Sequence, residues 1–215
     1  MDEVLRVVLL LAAVAASIAF MVWIMSLAKR ETAARHAAWA AFAARHGFTF
    51  TPPHGPWYAK KPARIEGSVG TVPIAIDTYV VSNGKTSTMY TRLVSAAMQP
   101  MPLDAKVYRE TIFGALGDLV GAQDVPVGDA QFDKEFVVKA SREDLVRQWL
   151  HAPLRAAITR FFLGPDQSNG TLQYRQGQIV LSWLGGEKRE GALHAAVSIA
   201  VEGAGFRGVE QGAFR

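Results

Sequence analysis

Acidic residues are the first candidates for chemistry in this chain. Asp118, Asp124, Asp129, Asp133 and Glu135 place five carboxylates within 18 residues, and calcium or magnesium takes its oxygen ligands from clusters of this kind. Asp129 and Asp133 are the sharpest metal-ligand candidates. With His151 or His194 as a proton carrier, the cluster between Asp118 and Glu135 would serve a metal-assisted or hydrolytic reaction. The spacing argues against it: it matches no EF-hand loop, and the chain carries no nucleophile motif and no paired-histidine signature. Gly185 to Glu190, GGEKRE, reads as an exposed connection and lacks the Lys-Ser/Thr ending of a phosphate loop. No cofactor is implied.

The same acids have a simpler structural use. Phe132 and Phe136, four residues apart, fit two core aromatics that fix a tight loop, with Asp129 and Asp133 accepting from turn amides. Trp149 belongs to a buried helical stripe of Leu145, Val146, Trp149, Leu150, Leu154, Ile158 and Phe161, with Asp144, Gln148, His151 and Arg155 turned outward. Ser141 opens that helix with Asp144 three residues on, a variant of the capping box. Pro153 either kinks it or splits it in two. His151 reads as a surface histidine, and His36 and His46, ten apart on one helix, read as exposed and too far apart to share a metal.

The elements that must position these residues follow from hydropathy. Val7 to Ala28 runs 22 residues without an ionisable side chain. As a helix it is about 33 Å long, enough to cross a hydrocarbon core of about 30 Å. A cleaved signal peptide fits less well: the start is acidic at Asp2 and Glu3 and the apolar run is too long, although Ser26-Leu27-Ala28 is a passable cleavage triplet. Only Arg6 precedes the span, whereas Lys29, Arg30, Arg35 and Arg45 follow it. The positive-inside rule therefore puts the N-terminus outside and the rest of the chain in the cytoplasm, with the cell membrane as its location.

Four regions result: a transmembrane anchor (1–28), a juxtamembrane helix (29–47), an α+β domain (48–205) and a tail (206–215). The juxtamembrane stretch is Ala-rich and stops at Gly47. Trp39 and Phe42 share one of its faces and are expected to dock on the domain. Thr51 to Pro56, TPPHGP, is a linker. Arg64 to Val69, Val72 to Val81 and Lys85 to Ala97 read as strands, with Asn83-Gly84 as a two-residue turn that sets Ile74 opposite Leu93 and Thr78 opposite Met89. Lys106 to Phe113 is a further short strand, and Gly114 to Asp129 a loop. A second hairpin turns at Gln176-Gly177 and pairs Tyr174 with Ile179 and Leu172 with Leu181. Gly191 to Gly203 is a final helix, with a strand through Val197 to Val201 as the alternative.

The segment Gly128-Asp129-Ala130-Gln131-Phe132-Asp133-Lys134-Glu135-Phe136, with the apolar anchor and the Trp-bearing juxtamembrane helix, resembles uncharacterised bacterial single-pass membrane proteins carrying a G-D-x-x-F-D-x-x-F stretch. The resemblance implies a small α+β domain and no activity.

Composition narrows the function classes. The net charge is +4 and there is no Cys, which removes disulfides, thiolate catalysis and Cys-ligated metals. No Lys/Arg stripe is interleaved with aromatics, so nucleic acid is not an expected partner. The expectation is one N-terminal transmembrane helix followed by antiparallel β-hairpins packed with two or three helices. Its partners would be the bilayer, through residues 7–28, and a protein or a second copy of the chain. A non-catalytic tethered interaction module leads, an enzyme using the acid cluster is the alternative, and a binder of anionic lipid surfaces is the third reading.

Overall fold

The computed structural model describes residues 2–56, 59, 61–109, 123–165 and 169–205. The anchor and the juxtamembrane helix are one element: α1 runs unbroken from Asp2 to His46. Gly47, at φ +70°, ends it in a left-handed conformation that glycine takes without strain. A helix apolar enough to cross a membrane thus continues directly into the domain, with no flexible linker between.

The strands are β1 (Thr49–Thr51), β2 (Arg64–Val69), β3 (Val72–Ser82), β4 (Ser87–Ala96), β5 (Asp104–Arg109), β6 (Gln123–Asp124), β7 (Phe136–Ala140), β8 (Gly170–Arg175) and β9 (Gln178–Leu184). They form one antiparallel sheet in the order β1-β2-β3-β4-β9-β8-β5-β7-β6. The two expected hairpins are both present and are joined in this one sheet, because β4 pairs with β9. An apolar row crosses eight strands: Phe50, Ile65, Ile76, Leu93, Leu181, Leu172, Val107 and Val138 are successive cross-strand partners. From Ile65 to Val138 each member is buried, and this row gives the sheet its core face.

Helices cover that face. They are α2 (Ala130–Glu135), α3 (Glu143–Trp149), α4 (Ala152–Leu163) and α5 (Glu190–Gly203). Leu154, Ile158, Phe161 and Phe162 of α4 and Leu193, Ala196, Val197 and Ala200 of α5 are buried. The α+β class holds, with four helices beyond α1 among the described residues, and the strand alternative for 197–201 is not realised.

Several local expectations are corrected. The β3–β4 hairpin is out by two residues: Ile74 pairs with Ser95, Ile76 with Leu93 and Val80 with Met89. The turn widens to four residues because Asn83 Oδ1 accepts from both the Lys85 and Thr86 amides at 3.1 and 2.8 Å. An even slip leaves every side chain on its expected face. The second hairpin has the expected register. Thr51 belongs to strand β1 and not to the linker. Ser141 does not cap a helix but accepts from the Asp104 amide at 3.0 Å, and Asp144 pairs with Arg142, which itself occupies the cap position of α3.

Pro153 splits the long helix. His151 caps α4, its Nδ1 accepting from the Leu154 amide at 3.3 Å while Nε2 lies 3.2 Å from the Glu202 carbonyl oxygen, so it is a half-buried joint between α4 and α5. Residues 110–113 of the expected β5 strand, Asp118 and the 206–215 tail lie outside the described residues.

Candidate functional site

The junction between α1 and the sheet is the most highly organised polar site in the described residues, and it is built around Glu187. Trp39 reaches it from α1, on the face shared with Phe42 and Ala43; all three are buried. Thr91 reaches it from β4, and Trp183 from the end of β9. Gly185, at φ +89°, turns the chain out of β9 so that Glu187 comes back beneath α1.

Glu187 uses every polar group it has. Its amide donates to Thr91 Oγ1 at 2.9 Å, and its carbonyl accepts from Trp39 Nε1 at 2.7 Å. Its carboxylate accepts from the Lys188 and Arg189 amides at 2.9 and 2.8 Å, from the Arg189 guanidinium at 2.8 and 3.0 Å, and from Trp183 Nε1 at 3.3 Å. Thr91 Oγ1 completes the set by donating to the Gly185 carbonyl at 2.7 Å. Burial opposes ionisation, but the Arg189 guanidinium and the two amides outweigh it and hold the carboxyl below the usual glutamate range. The expected exposed connection at 185–190 is thus corrected at its centre, since Glu187 is only 6 % exposed.

Ion pairs bracket this knot along α1. Lys188 Nζ meets the Glu31 carboxylate at 2.8 Å on the anchor side, and Arg45 pairs with Glu190 on the other. Arg35 lies between them with its guanidinium 3.4 Å from Met89 Sδ of β4. His36 lies against Phe50, and His46 against Phe42 and His194, all with tilted rings, so neither is the exposed histidine the sequence suggests. Burial, then the neighbouring charges of His46 and Arg160, lower the pKa of His194.

The acid-rich segment forms a tight loop. Asp129 caps α2, accepting from the Phe132 amide at 3.2 Å, and its other oxygen meets Arg155 Nε at 3.1 Å. Arg155 is therefore not turned outward. Asp133 accepts from the Val127 and Gly128 amides at 2.8 and 3.1 Å. Phe132 and Phe136 are buried with ring centroids 4.6 Å apart, and Trp149 is buried with its indole donating to the Gly203 carbonyl at 3.0 Å. Among the described residues no three His, Asp or Glu side chains converge as metal ligands. A groove of about 550 Å³ lies at one end of the sheet, lined by Arg64, Glu66, Pro73, Val94, Ser95 and Gln178 among others, with no His in its lining.

What sequence reasoning missed was Glu187. Its signal was available: an acid followed by two basic residues directly after a Gly-Gly exit from a Trp-bearing strand.

No family model matches this chain, and no curated protein matches it. Among solved structures, the crystal structure of the mycobacterial trehalose monomycolate transport factor A, TtfA, is similar with a TM-score of 0.54 at 8 % identity, covering 80 % of this chain and 93 % of that one. At that identity the likeness shows a shared fold.

Proposed function

We propose that this protein is a membrane-tethered, non-catalytic module that holds an α+β domain in a fixed pose at the bilayer for a protein partner or a second copy of the chain. Residues 7–28 span the membrane, with the short N-terminus outside and the domain in the cytoplasm, as the excess of Lys and Arg after the span favours. One observation carries the reading: the helix that holds the apolar run enters the domain without interruption and is locked there by Trp39 and Glu187. A domain that only needed tethering would be served by a flexible linker, whereas a continuous helix docked through buried Trp39, Phe42 and Ala43 transmits position and orientation.

The reading is consistent with the shared fold of TtfA, a transport factor. Cross-linking of the full-length protein in native membranes, with protease accessibility in intact and lysed cells, tests it. Capture of a specific partner or a homodimer, with the domain protected until lysis, is the expected result. A monomer with no cross-linked species rejects the interaction reading, and digestion in intact cells reverses the topology.

A further inference from the structure

The end of α1 meets the start of α5 through two imidazoles. His46, the last residue of α1, and His194, in the second turn of α5, have ring centroids 5.9 Å apart. Neither ring lies open to water. The His46 side chain is 15 % exposed and its ring lies 4.5 Å from that of buried Phe42, and His194 is half-buried.

Charge around the pair is unbalanced. The groups that face His194 are His46 from α1, Arg160 from α4 and Glu190 from the first turn of its own helix. Beneath the helices, β3, β4 and β9 present the buried and uncharged Ile76, Leu93 and Leu181. Glu190 is thus the single acid among these groups, and it is already engaged: Arg45 pairs with it, and His46 Nε2 lies 3.8 Å from its Oε1. With both imidazoles neutral, the contact holds two guanidinium charges against one carboxylate. A proton on His194 adds a further cation to a half-buried place where the nearby acid is spoken for.

The seated helix therefore favours neutral His194, whose pKa is lowered first by burial and then by His46 and Arg160. Moving the end of α1 away would let water reach the ring and would remove His46 from its side. Protons bind more readily in that looser state, so acid draws the equilibrium toward it. The sign follows from linkage: the seating is complete above the unperturbed histidine value of about 6.5 and weakens as pH falls below it toward the lower, seated value.

We infer that the α1–α5 contact is an acid-sensitive joint, in which protonation of His194 opposite His46 loosens the last turns of α1 from α5 and lets α1 rock about the Trp39 lock. This rests on the fixed-pose reading and adds its regulation: the pose is rigid near neutral pH and yields in mild acid, where histidine is the side chain that changes charge. The lock itself persists there, because the Glu187 carboxyl is held below the usual glutamate range and stays ionised.

Two measurements on the full-length protein test it. NMR of histidine-labelled protein in detergent follows the His194 ring, assigned with His194→Gln or, should that variant not fold, His194→Asn. A titration midpoint below that of an unperturbed histidine is expected, and one at or above about 6.5 overturns the inference. Spin labels at Ala33→Cys and Arg175→Cys then report the pose in nanodiscs at about pH 7.5 and about pH 5. The expected result is a narrow distance distribution near pH 7.5 that broadens near pH 5, with the broadening lost when His194→Gln or His194→Asn is added. A distribution equally narrow at both pH values, or broadening that persists without His194, overturns the inference and leaves the fixed pose intact. A distribution already broad near pH 7.5 removes the fixed-pose reading and the inference with it.

Discussion

The Trp39 indole donates to the backbone carbonyl of Glu187 at 2.7 Å, joining residues 148 positions apart in the sequence. Trp39 lies on the helix that carries the apolar run, and Glu187 on the loop that leaves β9, so this bond joins the apolar helix and the sheet into one body. Both partners are buried, and the loss of either leaves a polar group without a partner or a void in the core.

Replacement of Trp39 separates those two costs. Trp39→Ala is expected to destabilise the domain by about 3 to 5 kcal/mol through lost packing, read as a fall in the midpoint of thermal unfolding in detergent. Trp39→Phe keeps most of the ring volume but orphans the Glu187 carbonyl, and is expected to cost about 1 to 3 kcal/mol.

Glu187→Gln keeps the shape of the side chain and removes its charge. The expected cost near neutral pH is about 2 to 4 kcal/mol, because the carboxylate loses its ionic pairing with Arg189 and one of its acceptor sites becomes a donor facing amides. The folded carboxyl is held below the ordinary glutamate pKa. Its contribution is therefore complete above the unfolded value of about 4.3 and is lost as pH falls through the lower, folded value. Acid unfolding followed by circular dichroism is expected to show a shallower low-pH decline in the variant than in the wild type, and parallel profiles would count against this role.

Trp149 packs against Tyr174, ring centroids 5.1 Å apart, and donates to the C-terminal end of α5. Trp149→Ala is expected to lower stability by about 3 to 5 kcal/mol. A loss well under 1 kcal/mol in denaturant titration would contradict its burial.

Asp133 spends both oxygens on loop amides. Asp133→Asn is expected to reduce stability by about 1 to 2 kcal/mol, and calorimetric titration of the wild type with calcium or magnesium is expected to release no heat. Heat that disappears in the variant would restore the metal-site reading.

A close approach links the end of α1 to β2. A Cβ placed on Gly67 would lie 2.4 Å from Phe48 Cδ1 and 3.3 Å from its Cα. Gly67→Ala is expected to push Phe48 off the strand at a cost of about 1 to 3 kcal/mol, visible as a lowered unfolding midpoint.

Much of this architecture is legible in the sequence, and for specific reasons. The apolar run from Val7 to Ala28, the Gln176-Gly177 turn and the stripe through Trp149 and Ile158 are local periodicities that the fold has no reason to override. The β3–β4 register was missed because Asn83-Gly84 suggests a two-residue turn, whereas the Asn83 side chain binds amides two and three positions on and widens it. The single sheet was not legible because the β4–β9 pairing joins segments about 90 residues apart with no local signature. The hydrophilic run GGEKRE suggests an exposed Glu187, as such runs usually are. Its burial depends on Trp39, Thr91 and Trp183, three residues that no spacing rule brings together.

The central claim is that α1 and the sheet move as one body. Double electron–electron resonance between spin labels at Ala33→Cys on α1 and Arg175→Cys on β8, in full-length protein reconstituted in nanodiscs, measures it directly. A single narrow distance distribution that broadens when Trp39→Ala or Glu187→Gln is added is the predicted result. A broad distribution in the otherwise wild-type chain, unchanged by either substitution, would contradict the account.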